Sequence, residues 1–255
     1  DWQTPSGLAD HVCARLMELG VRPASIIEPT CGVGAFVKAS ARFFPSATIH
    51  GHELNGTHLD QLRHEVAGND RIVLERSDFF ATDWRERVGA MPGPILVIGN
   101  FPWVTNSAQG SIGGTNLPEK SNFLGHRGFD AISGKANFDI SEAMMMEVLR
   151  WFRGREGDIA MLIKTATARK VLTHLQRQHI GMREAFTFGI DAKKEFNAAV
   201  EACLLVLRLS GGTHASANAH TAFATLDAEE GKRVGHSLGL MVNDLDAFEE
   251  NGHLL

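Results

Sequence analysis

Ser25-Ile26-Ile27-Glu28-Pro29-Thr30-Cys31-Gly32-Val33-Gly34-Ala35-Phe36 is the stretch that decides how this chain folds. A short apolar run leads into a turn with two glycines, and the turn opens a helix. Buried strand, tight turn and helix together form the repeating unit of a parallel sheet covered by helices. The segments on either side repeat that unit. Upstream, Thr4-Pro5 reads as a helix start, with a hydroxyl N-cap and proline in the first turn. Leu8, Val12, Leu16 and Leu19 then recur at helical spacing up to Gly20. Downstream, strands are predicted at 48–54, 71–75, 95–98 and 158–163. Helices are predicted at 55–67, 139–152 and 167–179. The runs 185–190 and 202–209 read as a terminal antiparallel pair. The expected class is α/β: a doubly wound, mostly parallel sheet with terminal antiparallel strands, Rossmann-like in its layering.

With 255 residues, 44% of them hydrophobic, the chain can bury a full core. Residues 1–210 read as one domain carrying a long inserted loop at 104–136, rich in Gly, Asn, Ser and Pro. Loops of that length are usually functional or disordered. Residues 211–255 read as a linker, small and polar over 210–222, and the start of a following region that continues in a longer parent. No apolar run approaches the roughly 18 residues of a membrane span, and the first residues have no signal-peptide pattern. Cys13, Cys31 and Cys203 lie far apart with no CxxC pair, which fits a reduced, cytoplasmic protein without a disulfide framework. The twelve histidines show no ligand spacing, and no metal is expected. The formal charge of −5 argues against tight nucleic-acid binding by this segment alone. It is unevenly spread: 150–194 has ten Lys/Arg against four Asp/Glu, whereas 195–255 has three against nine.

In a doubly wound sheet, ligands sit beyond the carboxyl ends of the strands. Gly32 and Gly34 let the backbone turn sharply and approach a ligand without Cβ interference. The loop lacks the Gly-Lys-Ser/Thr of a triphosphate site. Glu53 closes the second strand, where a carboxylate can accept both ribose hydroxyls of an adenosine moiety. Asp78-Phe79 at the third strand end could offer a carboxylate to the adenine amine and a ring to its face. These features fit an adenosine-bearing cofactor and leave NAD open.

Directly after the fourth strand comes Asn100-Phe101-Pro102-Trp103, on the same sheet edge as the glycine turn. An exocyclic amine on a nucleobase is a poor nucleophile, because its lone pair is delocalised into the ring. Two acceptors on its hydrogens favour an sp³-like nitrogen and stabilise the positive charge that develops there. The Asn100 side-chain oxygen supplies one acceptor and the Phe101 carbonyl can supply the second. Trp103 offers a face for stacking the base. A methyl on a sulfonium already has a good leaving group, so in-line positioning is the main requirement.

Glu28-Pro29-Thr30-Cys31-Gly32-Val33-Gly34 with Asn100-Phe101-Pro102-Trp103 resembles motifs I and IV of the amino-methylating DNA methyltransferases, the N6-adenine enzymes of restriction–modification systems. Further matches cover most of residues 2–209. Gln3-Thr4-Pro5 resembles motif X, Glu53 matches motif II, and Ser77-Asp78-Phe79-Phe80 matches motif III. The order is gamma-like, with target recognition after the catalytic domain. The resemblance implies a class I methyltransferase fold using S-adenosylmethionine. Glu28, Thr30, Cys31, Gly32, Gly34, Glu53, Asp78, Phe79 and Asn100 would lie on the cofactor, and Thr4 would approach its methionine carboxylate. Asn137-Phe138-Asp139-Ile140 and Phe196-Asn197-Ala198-Ala199-Val200 resemble later motifs, and Phe196 would stack on a flipped base. One departure stands out: the family tetrapeptide is usually Asn/Asp-Pro-Pro-aromatic, and here Phe101 replaces the first proline. Pro102 still pushes Phe101 towards extended geometry, which aims its carbonyl outwards.

The expected substrate is double-stranded DNA with the target base extruded from the stack. Lys120, Arg127 and Lys135 in the long loop are candidates for clamping the displaced strand, with a mobile lid or a surface loop without contacts as the alternatives for 104–136. A separate, more basic recognition region beyond Leu255 in the parent is expected to supply sequence preference, and a target-recognition or endonuclease region in the same or a partner chain is left open as a partner. The competing readings are a protein-glutamine N5 methyltransferase, an RNA adenine methyltransferase, and an inactive cofactor-binding subunit. Phe101 keeps the last of these open.

Overall fold

A computed structural model describes residues 3–103, 140–178, 180–212, 219–237 and 240–251. In chain order the elements are α1 (Ser6–Glu18), β1 (Ser25–Glu28), α2 (Ala35–Phe43), β2 (Thr48–Glu53), α3 (Gly56–Glu65), β3 (Ile72–Arg76), α4 (Trp84–Ala90) and β4 (Ile95–Asn100). Then follow α5 (Ile140–Trp151), β5 (Glu156–Lys164), α6 (Thr165–Arg177), β6 (Met182–Ile190), α7 (Ala192–Phe196), β7 (Ala202–Ser210), β8 (Ala219–Phe223), β9 (Gly231–Ser237), β10 (Leu240–Val242) and α8 (Leu245–Asn251).

Among the described residues the strands form one sheet in the order β10-β9-β8-β6-β7-β5-β4-β1-β2-β3. β3, β2, β1, β4 and β5 are parallel neighbours, and β7 runs antiparallel to both β5 and β6. The expected doubly wound, mostly parallel sheet with a terminal antiparallel pair is borne out. Side chains alternate across each strand, and the burial follows that period. Ile26, Ile49, Leu96, Ile98, Leu162 and Leu204 pack on one face with α1 and α2. Ile27, Val97, Ile159, Met161 and Leu205 pack on the other with α4, α5 and α6.

Three local readings are corrected. Thr4 does not cap α1: the N-cap is Pro5, and no side-chain bond is made there. Helix α4, unmarked in the sequence reading, starts on Asp83, whose carboxylate accepts from the Glu86 N–H at 3.1 Å. The expected linker at 210–222 ends earlier, because β8 adds to the sheet in parallel with β6, and β9 and β10 extend that edge. Arg15 fastens this extension to α1. Its guanidinium lies 5.0 Å from the Phe188 ring centre and 5.3 Å from that of Phe223, and it donates to the Ala228 carbonyl. Stacking of this kind contributes about 0.5–2 kcal/mol.

Candidate active site

The parallel strands deliver Glu28, Glu53, Asn100 and, one turn past β3, Asp78 to one edge of the sheet. The glycine loop is tied to that edge by its own amides. Cys31 N–H donates to the His52 carbonyl at 2.7 Å, and Gly32 N–H donates to Glu53 Oε2 at 2.8 Å. Glu53 Oε1 accepts from Asn55 N–H at 2.7 Å. One carboxylate therefore anchors both the loop and the start of α3, and each oxygen keeps a lone pair for a hydroxyl donor. Gly32 (φ 54°) and Gly34 (φ 77°) are both left-handed, the region where glycine carries no Cβ penalty. A Cβ on Gly34 would overlap the Leu62 side chain. The Gln3 side chain closes over Gly32, its Oε1 accepting from Val33 N–H at 3.3 Å. The sequence reading named Gln3 only as part of a motif and missed this contact, which spans thirty positions.

Glu28 is 3% exposed, and its Oε2 is buried without a hydrogen-bond partner. Burial drives its carboxyl well above the ordinary value of 4.5, with the Glu53 charge adding to the rise and the Val37 N–H and Lys38 opposing it. The folded state therefore holds the proton more tightly than the unfolded chain. Stability from this group is present below about pH 4.5 and is lost as pH rises towards the elevated folded value. Glu28→Gln is expected to raise the melting temperature of the cofactor-free protein, with a gain that grows between pH 5 and pH 8. A gain flat across that range, read by thermal scans, would remove this assignment. Thr30 Oγ1 is likewise buried and unpartnered. Burial raises the Cys31 thiol beyond its ordinary range, with Glu28 and Glu53 adding to the rise, so it is kept protonated and is no nucleophile.

Asn100 is the last residue of β4. Its Nδ2 donates to Thr4 Oγ1 at 3.3 Å, while its Oδ1 is buried without a partner. The Thr4 hydroxyl, freed from capping, thus orients the amide. The next two side chains diverge: Phe101 is 1% exposed, whereas Pro102 is exposed. Trp103 is half-buried and donates from Nε1 to the Leu162 carbonyl at 3.3 Å. Phe196 ends α7, and its ring meets that of Trp103 edge to face, with centres 4.8 Å apart. Asn197, left-handed at φ 52°, turns the chain back so that Ala198 and Ala202 pack beneath the pair. Two aromatic residues 93 positions apart are thus brought together beside Asn100.

Asp78 and Phe79 are already engaged within the fold. Asp78 Oδ1 accepts from Phe80 N–H at 2.9 Å, which closes its own turn. Phe79 is 6% exposed and turned inward, with ring centres of Phe101, Trp151 and Trp84 at 5.6, 5.7 and 5.8 Å. Its ring is part of the core. Phe80, half-buried, is the ring left at the surface of this turn. Trp84 stacks on Trp151 at 4.6 Å and donates to the Phe79 carbonyl at 2.7 Å. Lys120, Arg127, Lys135 and residues 137–139 lie outside the described residues.

No family model matches this chain. Among curated proteins, the type II methyltransferase M.NspV of Nostoc sp. is 39% identical over 253 residues, which are 98% of this chain and 52% of that protein. The chain therefore spans about half the length of its curated relative. Among solved structures, one is a Vibrio vulnificus protein assigned as the modification subunit of a type I restriction enzyme. It aligns over 99% of this chain and 52% of its own, at 12% identity and a TM-score of 0.52. A Pyrococcus horikoshii protein assigned as an RNA methyltransferase aligns over 82% of this chain and 87% of its own, at 10% identity and a TM-score of 0.51. The fold is that of the class I S-adenosylmethionine-dependent methyltransferases.

Proposed function

We propose that this chain, 98% of which aligns with about half of the type II methyltransferase M.NspV, transfers the methyl group of S-adenosylmethionine to the N6 amino group of adenine in DNA. The observation that carries the reading is Asn100 Oδ1, a buried amide oxygen at the end of β4 without a partner. An unsatisfied buried acceptor costs about 1–3 kcal/mol, and an amine N–H of the substrate would satisfy it. The residues of the strand edge also fit the cofactor. The left-handed glycines bring backbone close to a ligand, Glu53 faces them with free lone pairs, and Glu28 Oε2 and Thr30 Oγ1 are buried polar atoms awaiting partners.

The cofactor, when bound, supplies a methyl group on a sulfonium, already attached to a good leaving group. The chain's part is orientation. Asn100 Oδ1 and the Phe101 carbonyl would each accept one hydrogen of the amine, which would turn its lone pair out of conjugation and stabilise the positive charge that develops on the nitrogen. The extra proton on nitrogen passes to solvent water, so no side-chain base is needed. With Asn100 Nδ2 donating to Thr4 Oγ1, the amide oxygen is left to face the amine. Trp103 and Phe196, in contact with each other, offer one aromatic surface for stacking the extruded base. Target recognition falls to a region outside these residues.

The test supplies the full-length protein with labelled S-adenosylmethionine and, in parallel, unmethylated DNA, RNA and a glutamine-containing protein. Label in DNA is expected; label only in RNA or protein would replace this reading. Phe196→Ala should raise the KM for DNA about tenfold, from base stacking of about 1–3 kcal/mol, and leave the cofactor KM unchanged. Equal rises in both would place Phe196 in the fold alone.

A further inference from the structure

We infer that Phe101 is a positioning residue for methyl transfer, its buried ring wedged edge-on against Phe79 so that the turn carrying the amine acceptors is locked to the turn after β3. The inference rests on the proposed reaction. Asn100-Phe101 leaves the sheet at the end of β4, where the β4–β5 register stops at Asn100 opposite Leu162. Beyond that point no ladder holds the backbone, yet the Phe101 carbonyl must stay fixed as an acceptor. Proline at this position would restrict the peptide through its own ring. Phenylalanine restricts it through packing. Its ring is 1% exposed and lies 5.6 Å from Phe79 at 75° between planes.

Phe79 is itself held from three sides. Its carbonyl takes the Trp84 indole N–H at 2.7 Å, its ring tilts against Trp84 and Trp151, and those two indoles stack at 4.6 Å. His52, buried beside Glu53, meets Trp84 edge-on at 4.8 Å and shares a hydrogen bond with Ser77 Oγ at 3.1 Å. The anchor of Phe101 is therefore built from the residues on either side of Glu53 and Asp78. A shift of the ring would be felt at the Phe101 carbonyl first, and less at the cofactor edge.

The experiment uses the full-length protein, with single-turnover methyl transfer to unmethylated DNA, cofactor affinity and melting temperature measured on each variant. Phe101→Leu should slow methyl transfer by on the order of 10- to 100-fold, the scale of a small misplacement at a reacting centre, with cofactor affinity within about threefold. Leu149→Ala, a cavity in the same core cluster, should lower the melting temperature at least as much and leave the rate of the folded protein unchanged. Phe79→Leu combined with Phe101→Leu should cost less than the two single losses multiplied, because both break one contact. Phe101→Leu as fast as wild type, or as slow as Leu149→Ala in proportion to lost stability, would overturn the inference while leaving the reaction standing. A wild-type protein that binds cofactor and methylates nothing would overturn both.

Discussion

Asn100→Ala is expected to reduce methyl transfer by on the order of 100- to 1,000-fold, the usual loss when one preorganised polar group is removed from a developing charge. The amide is held from one side only, by Nδ2 on the Thr4 hydroxyl, so the variant should fold normally. Cofactor affinity should stay within a few-fold, because the glycine loop and Glu53 are anchored to each other and not to Asn100. Asn100→Asp keeps an acceptor oxygen, and Thr4 Oγ1 can donate to a carboxylate as readily as it accepts from an amide. It should therefore retain part of the activity that alanine loses. Methyl transfer by Asn100→Ala at the wild-type rate would refute the role given to this residue.

Gly34→Ala is expected to have the largest effect on the molecule as a whole. At φ 77° an alanine carries a left-handed penalty of about 1–2 kcal/mol. Its Cβ would also overlap Leu62, which is fully buried on α3, and overpacking of that kind adds about 1–3 kcal/mol. For a chain of this size the two together correspond to a fall in melting temperature on the order of 10 °C. The loop that moves is the one whose amides meet Glu53, so cofactor affinity should fall with stability. Adding Leu62→Ala separates the causes: it relieves the overlap but not the backbone strain. A double variant with fully restored cofactor binding would assign the effect to the clash alone.

The sequence made the sheet legible because its central strands, β1, β4, β5 and β7, are buried on both faces and read as continuous apolar runs. It also placed Glu28, Glu53 and Asn100 on one edge, since parallel strands must end together. What stayed hidden was contact across long separations. Thr4-Pro5 has the local pattern of a helix cap, yet its hydroxyl meets Asn100, 96 positions away. Phe79 looks available at a strand end, but Trp84, Trp151 and Phe101 converge on it from three other segments. Helix α4 escaped notice because it is only seven residues long, although Asp83 and Glu86 carry a capping pattern that marks its start. Strand β8 escaped because Ala219–Phe223 are all half-buried and show no alternation, and β9 opens on the exposed run Gly231–Arg233, as befits the rim of a sheet.

Phe101 shows how a departure from an expected motif can be absorbed. A substitution that reads as damage in a tetrapeptide becomes a core residue once its neighbours are in place, and the polar face of the turn is left to Asn100 and a main-chain carbonyl.

The chemical identity of the product decides whether adenine N6 is the methyl acceptor. Unmethylated DNA is incubated with the full-length protein and labelled S-adenosylmethionine, digested to nucleosides and separated. Label is expected in N6-methyladenine and is lost in Asn100→Ala. Label in a methylated cytosine, or none in any nucleoside, would contradict that assignment.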